Sequence, residues 1–187
     1  MPIARVTSVV AALLLLLSGA TDLPYGPRYT PDGALVPPAD YREWVFMSSG
    51  LDMSYSEGES TPGHSMFDNV FVDPVAWAAF KRSGHWPDRT MFVLEVRGAS
   101  SKGSINKSGH FQTEELMGAE VHVRDDARFD GGWGFFVLDG DAPAKRLPSS
   151  AQCYACHQAH GAVDTTFTQF YPTARAIAAK AGTLRAD

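Results

Sequence analysis

The chain has 187 residues, 44% of them hydrophobic and 20% charged, with a formal net charge of −5. That is enough apolar material for the core of one globular domain and too much for a disordered chain. The acidic balance, with no run of Lys or Arg that would track phosphates, excludes nucleic acid as a partner.

In chain order, the segment 1–20, MPIARVTSVVAALLLLLSGA, combines a positive start at Arg5, an apolar stretch from Val9 to Leu17 and the small residues Ser18 and Ala20. This is the pattern of a secretory signal peptide, and it makes the expected location periplasmic. The apolar stretch is short for a membrane span and no second one follows, so no span is expected after signal removal. Residues 21–40, TDLPYGPRYTPDGALVPPAD, are rich in Pro and Gly and show neither periodicity. They read as a flexible lead-in arm to a single domain over 41–187.

From Tyr41 onward, short extended runs alternate with turn residues. EWVFMSS and MFDNVFVD are predicted strands. DPVAWAAFKRSG opens with an Asp at the cap position and Pro at the first helical position, and stops at Gly84, which predicts a short helix. TMFVLEVRGAS, ELMGAEVHVRD and the glycine-bounded GGWGFFVLDG are further strands, and PTARAIAAKAG is a second helix. The fold class is therefore α+β and β-rich, an antiparallel sheet of about five strands with a few short helices.

The only two cysteines, Cys153 and Cys156, lie in QCYACHQAHGAVDTTFTQFYP, with His157 directly after the second. A redox dithiol of the thioredoxin type needs C-x-x-C on a helix after an early strand, whereas this motif follows every predicted strand. A structural zinc site takes four ligands, and the pair supplies two; His160 lacks the usual finger spacing. Covalent haem attachment needs two thiols for the two vinyl groups and an adjacent His as the proximal iron ligand, all of which are present in a chain with an export signal. The reading is one haem c, with Cys153 and Cys156 as its attachment points and His157 as its metal ligand.

No Met follows His157, so the ordinary Met/His pair of small cytochromes is absent, and His160 is too near to reach the opposite face. A sixth ligand would have to come from Met47, Met53, Met66, Met91, Met117, His64, His85, His110 or His122. Each has an ordinary structural role open to it, and an open iron is the expectation.

The blocks YREWVF, FDNVFVDPVAWAAFKRSGHWPDRT, HFQTEELMGAEVHVRD, GGWGFF and CYACHQAHGAVDTTFTQFYP resemble the cytochrome P-460 family, which includes the cytochromes c′-β; the resemblance runs from Tyr41 to Pro172. It implies a β-rich, periplasmic, homodimeric monohaem protein with a five-coordinate haem packed on the sheet. Family members either oxidise hydroxylamine, using a lysine cross-linked to the haem edge, or lack that bond and bind gases such as nitric oxide under an apolar cap. Where the cross-linking members read V-K-E, this chain reads Val93, Leu94, Glu95.

Leucine offers no nitrogen for that bond. Strand alternation puts Phe92 and Val96 on the face of Leu94, and Val93 and Glu95 on the other. Phe92 and Leu94 are therefore the candidate haem contacts, with Phe67 and Phe111 as further candidates for the distal wall. Lys102 and Lys107, in the loop GASSKGSINKSG, are the nearest lysines and read as solvated loop charges. Glu114, Glu115, Glu120, Asp139 and Asp141 are available as bases, but spacing selects none, and no catalytic residue is assigned.

The expectation is a nitrogen-ligand-binding haem protein of the c′-β kind, taking nitric oxide or hydroxylamine and exchanging electrons with a separate redox partner. A hydroxylamine oxidoreductase and a simple electron carrier with an upstream sixth ligand are the alternatives.

Overall fold

The structure is a computed structural model that describes residues 25–54 and 65–185. The signal segment 1–20 and His64 lie outside the described residues. Five strands, β1 (Val45–Leu51), β2 (Met66–Val72), β3 (Met91–Ser100), β4 (Phe111–Arg124) and β5 (Trp133–Val137), form one sheet in chain order. Each pairs antiparallel with the next, so the predicted α+β, β-rich architecture is what the chain adopts.

Three helices accompany the sheet: α1 (Pro74–Ser83), α2 (Gln152–His160) and α3 (Pro172–Ala181). The ends of α1 follow from its residues. Asp73 accepts from the Ala76 amide at 2.7 Å, Pro74 occupies the first turn, and Gly84 closes the helix at φ 72°, where a side chain would be strained. The second carboxylate oxygen of Asp73 accepts from the Met91 amide at 2.9 Å. One buried side chain thus fixes the start of α1 to the start of β3.

Alternation divides the sheet into two apolar faces. Val72, Phe92 and Trp133 face α1 and α3 and pack with Phe80, Trp86, Tyr171, Ala174 and Ala178. Met91, Val93, Val121, Val123 and Phe136 face the other way, onto Leu35, Trp44, Phe129 and Ala144.

The stretch read as a flexible lead-in arm supplies part of that second core in its described portion. Leu35 is fully buried and exchanges backbone hydrogen bonds with Ala144, 2.8 Å each way. Low periodicity concealed a segment whose few apolar side chains are nonetheless enclosed. β4 also begins four residues earlier than its apolar pattern indicates, because its first half carries exposed polar side chains beyond the reach of β5. Among the described residues no helix is long and apolar enough to cross a membrane.

Candidate functional site

Helix α2 has no side-chain cap at Ala151 and no buried residue, which is why sequence pattern gave no sign of it. Contacts from outside hold it. The Tyr154 hydroxyl donates to the Leu147 carbonyl at 3.1 Å, and its ring meets Phe135 edge-on at 4.8 Å. At the other end the Arg185 guanidinium donates to the Ala159 carbonyl, covering acceptors that a helix end leaves free. Helical geometry then places Cys153, Cys156 and His157, at i, i+3 and i+4, on one face.

Both thiols are free and partly buried. Burial pushes the Cys153 thiol up, the opposite of the activated thiol that a dithiol oxidoreductase requires. Among the described residues no three His, Cys, Asp or Glu side chains are gathered to hold a metal ion.

His157 is fixed more tightly than either thiol. Its Nδ1–H donates to the Thr165 carbonyl at 2.8 Å, which sets the tautomer and leaves Nε2 for another partner. The ring packs against Phe167 at 4.1 Å, His122 at 4.6 Å and Phe135 at 4.7 Å. Burial lowers its proton affinity, favouring the neutral imidazole that binds metals.

Beside His157 opens a cleft whose sheet wall comes from four adjacent strands, β2 to β5, with Val70, Leu94 and Glu120 in one cross-strand row and Phe92, His122 and Phe135 in the next. Phe167 and Tyr171 close it from the side of α3. The wall is apolar apart from two groups. Burial raises the proton affinity of the Glu120 carboxyl, although that residue keeps much of its surface in solvent. The other group is His122, whose ring stacks on Phe135 at 4.1 Å and lies tilted against Trp133 at 4.2 Å, with a buried Nε2 that meets no partner among the described residues. Burial and the neighbouring His157 keep its ring neutral.

The candidate residues from the sequence distribute unevenly. Cys153, Cys156 and His157 share α2, and Phe92 and Leu94 both line the cleft. Phe67 and Phe111 do not line it: Phe67 alternates onto the other face of β2 from Val70, and Phe111 lies exposed at the start of β4. Lys102 and Lys107 belong to the exposed loop beyond β3 and are absent from the cleft wall.

Of the upstream donors, Met47 and Met91 are in the two cores, Met53 and Met117 are exposed, Met66 starts β2, and His85 pairs with Asp164. His110 is exposed as well. Of the five carboxylates, Glu120 alone lines this cleft. Asp139 and Asp141 line a separate pocket beside Pro37 and Arg42, and Glu114 and Glu115 lie exposed on the projecting half of β4. Val70, Phe135, Phe167 and Tyr171 escaped the sequence reading. Register alone would have delivered the first two, since Val70 pairs with Leu94 and Phe135 with His122.

A flat apolar group with one metal to ligate suits this cleft: a neutral imidazole offers Nε2 from one side, and the His122 Nε2 has no hydrogen-bond partner among the described residues. The fold and the cleft thus suit a haem carried on an antiparallel sheet. The family model for cytochrome P460 matches residues 38–168, and the chain belongs to that family and is a haem cytochrome. None of the curated proteins matches it.

Proposed function

We propose that the protein is a periplasmic monohaem c-type cytochrome that leaves one axial position of its iron open to small nitrogen ligands such as nitric oxide. In this reading Cys153 and Cys156 carry thioether bonds to the haem and His157 is the one protein ligand of the iron. When bound, the haem supplies an iron that takes diatomic ligands and exchanges single electrons. The chain's own residues hold His157 in one tautomer, keep its ring neutral and keep water from an apolar wall.

The observation that carries the reading is the composition of that wall. Leu94 stands on β3 where the resemblance puts the lysine of cross-linking members, with Phe92 beside it on the cleft, and among the described residues the only other donor of His or Met type on the cleft is His122. Two imidazoles on opposite faces of one metal stand roughly 6 Å or more apart between ring centres, given metal–nitrogen bonds of about 2 Å. The rings of His122 and His157 are 4.6 Å apart, which argues against His122 as a sixth ligand and so, among the described residues, against the simple electron carrier. An apolar wall favours an uncharged diatomic over a substrate that must lose protons.

A denaturing gel with haem stain, followed by spectra of the ferric and ferrous forms, tests the proposal. Covalent haem with high-spin spectra and direct binding of nitric oxide or carbon monoxide is the expected result. A low-spin resting spectrum that turns high-spin when one upstream Met or His is replaced would overturn the open iron.

One observation favours the hydroxylamine-oxidising alternative: Glu120 places a carboxyl with raised proton affinity on the cleft wall, suited to accept a proton. Steady turnover of hydroxylamine with an artificial electron acceptor, abolished in Glu120→Gln, would move the protein into the enzyme class.

A further inference from the structure

The carbonyl that holds His157 belongs to an unusual turn. Val163 and Thr166 bracket a two-residue loop, with the Thr166 amide donating to the Val163 carbonyl at 2.8 Å, and both central residues have positive φ, 47° at Asp164 and 59° at Thr165. Such a turn is ordinarily made with Asn-Gly; a β-branched Thr at positive φ is an outlier that its surroundings must impose.

The surroundings are visible. The Asp164 carboxylate accepts from the Trp86 amide at 2.8 Å and from His85 Nδ1 at 3.1 Å, and lies 4.0 Å from the Arg124 guanidinium. The Thr166 hydroxyl donates to the Val163 carbonyl at 2.7 Å, and the Trp86 indole N–H donates to the Thr168 hydroxyl at 3.0 Å. Gly161 lets the turn fold back onto α2, since a Cβ there would stand 2.4 Å from the Thr165 carbonyl carbon.

We infer that Asp164 is a positioning residue for His157: by tying the strained Asp164–Thr165 turn to the connection between α1 and β3 and to the end of β4, it aims the Thr165 carbonyl at Nδ1 and so sets the donor strength of Nε2 toward the iron. A firm hydrogen bond at Nδ1 gives the imidazole more anionic character and makes it a stronger ligand, which favours the ferric state. The tie is remote, because Asp164 touches neither the His157 ring nor the cleft wall. The inference rests on the reading of His157 as the iron ligand.

The test uses the haem-loaded protein and compares wild type with Asp164→Ala, Asp164→Asn and Asp126→Ala. Asp126 also pairs with Arg124, at 3.1 Å, without touching the turn, so it controls for the loss of a charge there. The readouts are the iron–histidine stretching frequency of the ferrous form and the reduction potential. Asp164→Ala is expected to lower the frequency and raise the potential, Asp164→Asn to do so by less because an amide oxygen still accepts from Trp86, and Asp126→Ala to leave both at wild-type values. If Asp164→Ala does not fold, His85→Ala removes one tie and is expected to shift both readouts in the same direction by a smaller amount. Wild-type values in Asp164→Ala, or in His85→Ala where that stands in for it, would overturn the inference and leave the proposed function standing. A wild-type protein with no iron–histidine band would overturn the assignment of His157, and this inference with it.

Discussion

Asp68 on β2 is half-buried, two residues along the strand from the cleft residue Val70, and its carboxyl is pushed up to about 6 by burial and by the charges of Asp52 and Glu120. Raised proton affinity in the folded state means that the folded chain holds this proton more tightly than the unfolded one. Stability contributed by the protonated group is therefore present at low pH and is lost as pH rises from about 4 toward the folded value. Asp68→Asn removes the penalty. After discounting for solvent screening, the variant is expected to gain about 1 kcal/mol at pH 7.5 and almost nothing near pH 4. Thermal unfolding at the two pH values checks this, and an equal gain at both would show that the effect is packing.

At the same scale, His122 illustrates what sequence hides. Its strand was legible and it stood among the possible sixth ligands, yet only the pairing of β4 with β3 and β5 shows that it flanks Phe92 and Phe135 on the wall beside His157. A lone His on a strand carries no sign of which cross-strand neighbours it will meet. Cys153, Cys156 and His157 stood out as candidates because the pattern that points to them is spacing within one short segment, which the fold forms as α2.

At the scale of elements, α1 could be read almost to the residue and α2 could not be read at all. α1 has local signals at both ends, in Asp73, Pro74 and Gly84, and an apolar stripe that buries Ala76 and Phe80. α2 has none, and its helical form is imposed by the contacts of Tyr154 and Arg185 with distant parts of the chain. The cap of α1 also serves the site, because Asp73 fixes Met91 next to the cleft residue Phe92. Asp73→Ala leaves two buried amides without an acceptor and is expected to cost about 2–3 kcal/mol. Asp73→Asn keeps at most one of the two acceptors and is expected to cost less. Chemical denaturation of both variants decides whether the bridge between α1 and β3, and not the charge, is what stabilises this corner.

At the scale of the whole molecule, the sheet separates two tasks. Its cleft face shares residues with the first core: Phe92 touches Trp86 at 4.7 Å and Tyr171 at 5.9 Å while lining the cleft, and the Trp86 ring stacks on Phe80 at 3.9 Å. The opposite face is occupied by the second core, where the described part of the arm packs, and by a buried Glu95. That carboxylate accepts from the Tyr41 hydroxyl at 2.5 Å, Arg42 Nε at 2.6 Å and Arg97 Nε at 2.9 Å, and together with burial it pushes the Tyr41 hydroxyl up to about 12.

Changes on this second face should alter stability without reaching the ligand. Leu35 is fully enclosed, and Leu35→Ala is expected to cost about 3 kcal/mol through lost burial and the cavity left behind. For a chain of this size that lowers Tm by about 10 °C. Carbon monoxide affinity and the haem spectrum should stay at wild-type values below the transition. Phe92→Ala should cost a similar or larger amount, about 3–5 kcal/mol, and also change ligand affinity, because that ring belongs to the core and to the cleft wall at once. Measuring unfolding and carbon monoxide binding on both variants tests the separation. A shift in affinity for Leu35→Ala as large as that for Phe92→Ala would mean that packing on one face of the sheet is transmitted through it to the other.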